Sequence, residues 1–332
     1  MLMVPGIDAA RKEAQRITPV EVIAYPDNVQ VWSKTVFPTT QLEWLGARCG
    51  NGLDVELRPK RWDRSRQYQQ RLQLRRPSRE ALQWLSASDG ILVNYLELAL
   101  DWSFDHVDER DEAHDFVCKY HVKRWHGDQK IKFVKGTRYT GERQTANKLV
   151  SYADLPSRMT GEVYCVHLEW RLNGVQALRR AGIETVSELL KLDAHEFWKK
   201  RLIMRAVDCR ALGRQYQIHV LGKGRRRGPY FGSKKTAAYD FDTMVGGTLV
   251  MMRGSTQAVV DEFRKGFDVA RCLREIDVPQ LLPKAWDMGT NEMFRKEAGV
   301  NGYTEKSAEN NVCGPAQRQR EDQDGHEGDF VG

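Results

Sequence analysis

Two stretches of alternating polarity, Val93–Trp102 and Val163–Leu172, constrain this chain more than any other feature. Side chains in a strand point to opposite faces with a period of two. In the first stretch Leu96, Leu98 and Leu100 therefore share one face, and Glu97 and Asp101 share the other. In the second, Val166, Leu168, Trp170 and Leu172 oppose His167, Glu169 and Arg171. If the polar faces coincide in one sheet, carboxylates and an imidazole converge. That donor set suits a divalent metal, with Glu97, Asp101, His167 and Glu169 as the candidate ligands.

The rest of the chain reads as a soluble globular protein. Its 332 residues allow one large core or two smaller ones, and 41% hydrophobic with 29% charged residues falls in the ordinary globular range. No apolar run reaches the roughly 18 residues that span a bilayer, so no membrane partner is expected. The N-terminus lacks a basic segment followed by an apolar one, which argues against secretion. The six cysteines are scattered and never form C-x-x-C, so they read as reduced thiols in a cytoplasmic protein rather than a zinc knuckle.

Charge is distributed unevenly. The net charge is +7, yet Arg58–Arg79 holds nine Lys/Arg against one acid, and Lys199–Lys235 holds twelve against one. Trp62, Tyr68, Tyr216, Tyr230 and Phe231 are interleaved with these basic residues. Cations alternating with aromatic rings favour a polyphosphate partner, and nucleic acid is the partner expected. Lys223, Arg225, Arg226 and Arg227 lie among glycines whose spacing is not a dinucleotide fingerprint, and they read as a phosphate clamp. His106, His114, His121 and His126 are spaced irregularly around one helix and read as surface residues.

Along the chain, residues 1–19 form a lead-in, 20–221 an α+β domain, 222–301 a basic linker with a small C-terminal appendage, and 302–332 a disordered tail. Val20–Lys34 reads as a strand pair around a Tyr25-Pro26-Asp27-Asn28 turn. Further strands are expected at 53–57, 68–74, 91–102, 131–139, 148–154 and 163–172. Helices are expected at 77–87, 108–125, 175–181, 185–192 and 194–211, with a strand at 248–252 and a helix at 256–267 beyond them. Hairpins mixed with crossovers predict an antiparallel or mixed sheet with helices on one face, leaving the other face for a ligand.

Four segments in this order resemble a family. They are Leu96-Glu97-Leu98-Ala99-Leu100-Asp101, Gly136-Thr137-Arg138-Tyr139-Thr140-Gly141-Glu142-Arg143, Leu149-Val150-Ser151-Tyr152-Ala153-Asp154, and His167-Leu168-Glu169-Trp170-Arg171-Leu172-Asn173-Gly174. Together they resemble the rolling-circle replication initiators of small plasmids and filamentous phages, over about residues 68–180. The resemblance implies a nickase in which a tyrosine attacks a phosphodiester of origin DNA with the help of Mg²⁺ or Mn²⁺. It also implies single-stranded or supercoiled origin DNA as partner, and a host helicase beside it.

In some members of that family the nucleophile lies on the helix after the last strand, but Val175–Arg180 contains no tyrosine. Tyr152 is the first candidate, because it shares a face with Lys148 and Asp154; Tyr139 and then Tyr216 follow. Arg171, Arg143 and Arg214 join the basic loop as candidate phosphate contacts, with pairing of Arg171 to Glu169 or Glu97 as the alternative. A DNA-binding regulator or accessory factor without chemistry, and an RNA-binding protein on a similar sheet, are the rival readings.

Overall fold

The computed structural model describes residues 7–57, 67–122, 131–140, 146–208, 211–212 and 269–286. All of them belong to the first of two units, residues 1–294 and 295–332. In chain order the elements are α1 (Ile7–Arg16), β1 (Glu21–Ser33), α2 (Thr39–Gly46), β2 (Leu53–Leu57), β3 (Gln70–Arg75), α3 (Arg79–Ser86) and β4 (Ile91–Ser103). There follow α4 (Val107–Tyr120), β5 (Ile131–Val134), β6 (Thr137–Thr140), β7 (Asn147–Tyr152) and β8 (Cys165–Asn173). The last are α5 (Val175–Ala181), α6 (Val186–Leu190), α7 (Ala194–Lys199), β9 (Met204–Val207) and β10 (Leu273–Ile276).

An eight-stranded antiparallel sheet organises the molecule, in the order β2-β3-β1-β4-β8-β7-β6-β5. The two alternating stretches become its central neighbours β4 and β8. They pair with Asp101 opposite His167 and Glu97 opposite Arg171, so the polar faces do coincide. The apolar face carries the core, in which Leu98, Leu100, Trp102, Leu168 and Leu172 are fully buried against residues such as Leu82, Phe116, Leu178 and Leu189 from the helices. The fold is α+β with helices over one face of a large antiparallel sheet.

Local chemistry fixes the helix limits. Ser78 Oγ accepts from the Ala81 amide at 3.2 Å and starts α3. Helix α4 buries Ala113, Phe116, Val117 and Tyr120, one helical stripe, with Asp108 and Glu109 in its first turn and Lys119 in its last. A capping box of Thr185 and Glu188 opens α6. Helix α5 ends at Gly182, whose φ of 73° is a left-handed conformation that glycine adopts without strain.

Four local expectations are corrected. Val20–Lys34 is one strand of 13 residues, Glu21–Ser33, with a bulge between Pro26 and Asn28 in place of a turn. Pro26 is tolerated there because β3 pairs with β1 only from Asn28 onward, leaving no ladder partner on that side. The 131–139 strand is a hairpin of β5 and β6. Lys135 and Gly136 form its two-residue turn, both at positive φ (47° and 82°), as the twist of a tight hairpin requires. The long helix expected over 194–211 stops at Lys199, and Met204–Val207 leaves as β9 to pair with β10. His121 is buried rather than on the surface, its Nε2 3.1 Å from the Arg201 carbonyl. The strand and helix expected at 248–252 and 256–267 lie outside the described residues.

Residues 269–286 return to the helix side of the sheet. The Trp102 indole donates to the Leu281 carbonyl at 3.0 Å, and the Gln280 amide donates to the Ala14 carbonyl at 2.9 Å. Among the described residues no helix is long and apolar enough to cross a membrane.

Candidate metal centre

The open face of the sheet is ordered in rows, because residues paired across antiparallel strands share a face. One row is Tyr152, His167, Asp101 and Ile23; the next is Tyr139, Val150, Glu169, Ala99 and Tyr25; a third is Lys148, Arg171, Glu97 and Asn28. The β1 bulge adds one residue to this pattern. Asp27 is the extra residue between Pro26, paired with Leu98, and Asn28, paired with Glu97. A bulge sets two residues against one and re-aims a side chain, and here it brings a further acid to the polar face.

Asp27, His167 and Glu169 each offer a ligand atom within 4.8 Å of the others, and all three are buried. His167 is held between two carboxylates. Its Nδ1 contacts Asp101 Oδ1, and its Nε2 lies 3.2 Å from Glu169 Oε1. Burial alone would lower its pKa, but Asp101 and then Glu169 outweigh burial and push it up to about 10. Glu169 is held well below the usual carboxylate range: burial opposes ionisation, and His167 and Arg171 overcome it. Burial raises Asp27, against the pull of Arg158.

A strap between β7 and β8 closes over these groups. Ser157 Oγ donates to Asp101 Oδ2 at 2.6 Å. Arg158 Nη1 lies 2.5 Å from Asp27 Oδ2 and 3.9 Å from Glu169 Oε1. Met159 packs with Ile23, Tyr25 and Ala99 in a small apolar cluster. Two phenols flank the acids. Tyr152 donates to Glu169 Oε1 at 3.1 Å, and Tyr25 donates to Asp101 Oδ2 at 3.2 Å. Burial first, and then the adjacent carboxylate, raises the pKa of each.

Of the ligands expected from sequence, the structure brings His167 and Glu169 into one cluster with Asp27. Asp101 stands behind His167 as its hydrogen-bond partner. Glu97 is turned to Arg171, 3.1 Å away, and accepts from Tyr95. Arg171 also binds Glu169, with Nε 2.9 Å from Oε2, so its guanidinium is held in an ion-pair network. Tyr152 is in the cluster. Tyr139 is two strands away from β8, with the Lys148 ammonium over its ring at 4.6 Å. Arg143, Arg214, Tyr216, Lys223, Arg225, Arg226 and Arg227 lie outside the described residues.

Sequence reasoning missed Asp27, Tyr25, Ser157 and Arg158. The signal for the first two was present: Val22, Ile23, Tyr25, Val29 and Val31 continue a strand pattern across Pro26, and no glycine marks a turn. The donor set fits a divalent cation. One imidazole nitrogen and two carboxylates converge, and Asp101 fixes the ring as the carboxylate behind a ligating histidine does.

No family model and no curated protein matches the chain. Among solved structures it is similar to the rolling circle replication initiator protein from Geobacillus stearothermophilus, at 13% identity and a TM-score of 0.30, over 47% of this chain and 76% of that one.

Proposed function

We propose that this chain is a DNA-nicking replication initiator whose centre is the Asp27, His167 and Glu169 cluster, with Tyr152 as nucleophile. The observation that carries the reading is the contact between the Tyr152 hydroxyl and Glu169 at 3.1 Å, inside a buried set of metal-type donors. The motif order over residues 68–180 that resembles replication initiators supports the same reading.

Asp27, His167 and Glu169 would hold the cation, and Asp101 would keep the proton on His167 Nδ1 so that Nε2 is free to ligate. The cation, Mn²⁺ or Mg²⁺, supplies Lewis-acid neutralisation of the phosphodiester charge. The remaining work belongs to side chains. Tyr152 Oη gives up its proton to water as it bonds to phosphorus, with Glu169 as the hydrogen-bond acceptor that orients the phenol. The bond from phosphorus to the 3′ oxygen breaks, and that oxygen leaves as a 3′-hydroxyl after taking a proton from water. The phosphoester is conserved as a 5′-phosphotyrosine, so the reverse attack recloses the strand. Arg158, which neutralises Asp27 and lies near Glu169, is displaced toward the phosphate when the strap opens.

One observation favours a second reading, a DNA-binding regulator without chemistry. Tyr25 is 1% exposed and Tyr152 6%, both beneath the strap, where a DNA strand has no access unless the strap moves. The covalent intermediate separates the two readings. DNA bearing the origin of the element that encodes the chain is incubated with the protein and Mn²⁺, and SDS-stable adducts are mapped by mass spectrometry. The nickase reading predicts an adduct at Tyr152, lost in Tyr152→Phe and reduced at least a hundredfold in Glu169→Gln. DNA binding with no adduct selects the regulator.

A further inference from the structure

On the helix side of the sheet, away from the metal-type cluster, α5 and the segment that links α7 to β9 leave a pocket of about 340 Å³ against β7 and β8. Its chemistry is one-sided. Arg180, Lys200 and Arg201 line it together with Asn147, and among the described residues no carboxylate does. Trp170 and Ile203 supply an apolar wall.

Arg201 is the informative member. Its guanidinium stacks on the Phe197 ring at 3.6 Å and gives one hydrogen bond to the Phe197 carbonyl at 3.0 Å. Arg158 and Arg171 each face carboxylates on the other side of the sheet, whereas Arg201 has none within ion-pair distance among the described residues. Burial, uncompensated by an acid, holds its pKa down to about 10. A part-buried cation without a counter-charge costs stability unless an anion completes it. Lys200 is held only loosely, 4.0 Å from the exposed Glu196.

Three cations border the Trp170 indole, with the Arg201 guanidinium 5.6 Å from its ring centre, and together they match a ligand that is part phosphate and part ring. The volume lies at the small end of the range of about 300–1,000 Å³ that is usual for small-molecule pockets. We propose that this pocket binds one nucleotide unit, with Arg180, Lys200 and Arg201 on its phosphate and the Trp170 side receiving its sugar and base. A free mononucleotide and a single residue of a strand share this chemistry. The pocket acts independently of cleavage at the other face: Trp170 pairs with Leu98 and Leu149 on the core side, while its neighbour Glu169 faces the metal-type cluster.

The test uses the full chain in EDTA, which removes any contribution from a divalent cation. Binding of dTMP is measured by calorimetry, and binding of a labelled short oligothymidylate by fluorescence anisotropy. Both are repeated with Arg180→Gln/Lys200→Gln, whose two side chains are exposed, and circular dichroism checks the fold. Binding of dTMP that weakens at least tenfold in the double variant supports the pocket and names a free nucleotide as its ligand. Binding of the oligonucleotide alone, weakened to the same degree, supports it and names a strand. No binding of either probe, or equal binding by wild type and double variant, overturns it.

Discussion

Two histidines show how the balance between burial and neighbouring charge sets the protonation of a residue in this protein. His167 is buried between Asp101 and Glu169 and is pushed toward the charged form. His114 on α4 is pushed the other way: burial lowers its pKa from 6.5 and outweighs the opposing pull of the Ser151 backbone and Asp115. The consequence for stability has a definite sign. The unfolded chain takes up a proton at His114 near pH 6.5, whereas the folded protein resists it to lower pH. Stability from this group is therefore complete above pH 6.5 and is lost as pH falls from there through the folded value. Urea midpoints measured between pH 7.5 and 5 should fall less steeply in His114→Gln than in wild type. Parallel slopes would show that His114 is solvated. The sequence gives no hint of this pair of opposite shifts, because both depend on residues brought together across strands and helices.

Among the elements, β4 and β8 were legible because each has an apolar face for the helices and a polar face for the site. Alternation sufficed to set which face each side chain takes, while the register that puts Asp101 opposite His167 comes from the structure. Strand β1 was hidden because Pro-Asp-Asn is turn chemistry, and only the absence of a ladder partner on one side lets the strand run through it. The β5–β6 hairpin was hidden because a lysine occupies a left-handed position where asparagine is the usual signal. Strand β9 was hidden because its partner β10 is distant in sequence, and its residues continue the helical pattern of α7. Helix α5 was read correctly to its last residue, because glycine marks the left-handed end. A Cβ at Gly182 meets nothing within 4 Å, so Gly182→Ala carries backbone strain alone. Its expected cost is about 1 kcal/mol in chemical denaturation. A change of less than a few tenths of a kcal/mol would contradict the left-handed assignment.

For the whole molecule, the sheet divides the labour. One face is apolar and builds the core with the helices. The other collects Asp27, Asp101, His167, Glu169 and two tyrosines under a strap that neutralises the acids with Arg158 and hydrogen-bonds Asp101 through Ser157. From the sequence, His167, Glu169, Asp101 and Glu97 were expected as ligands and Tyr152 as nucleophile; the structure gathers all of these but Glu97, which is turned to Arg171. The rest of the centre comes from the β1 bulge and the strap, whose contacts are far apart along the chain. Binding of a cation by the cluster through an imidazole nitrogen is read out by titrating the full chain with Mn²⁺ and recording pulsed electron paramagnetic resonance. One bound Mn²⁺ with a ¹⁴N coupling from His167 is expected, with weaker binding in Glu169→Gln. Bound Mn²⁺ without nitrogen coupling, or no Mn²⁺ binding at all, would contradict binding of a cation through His167.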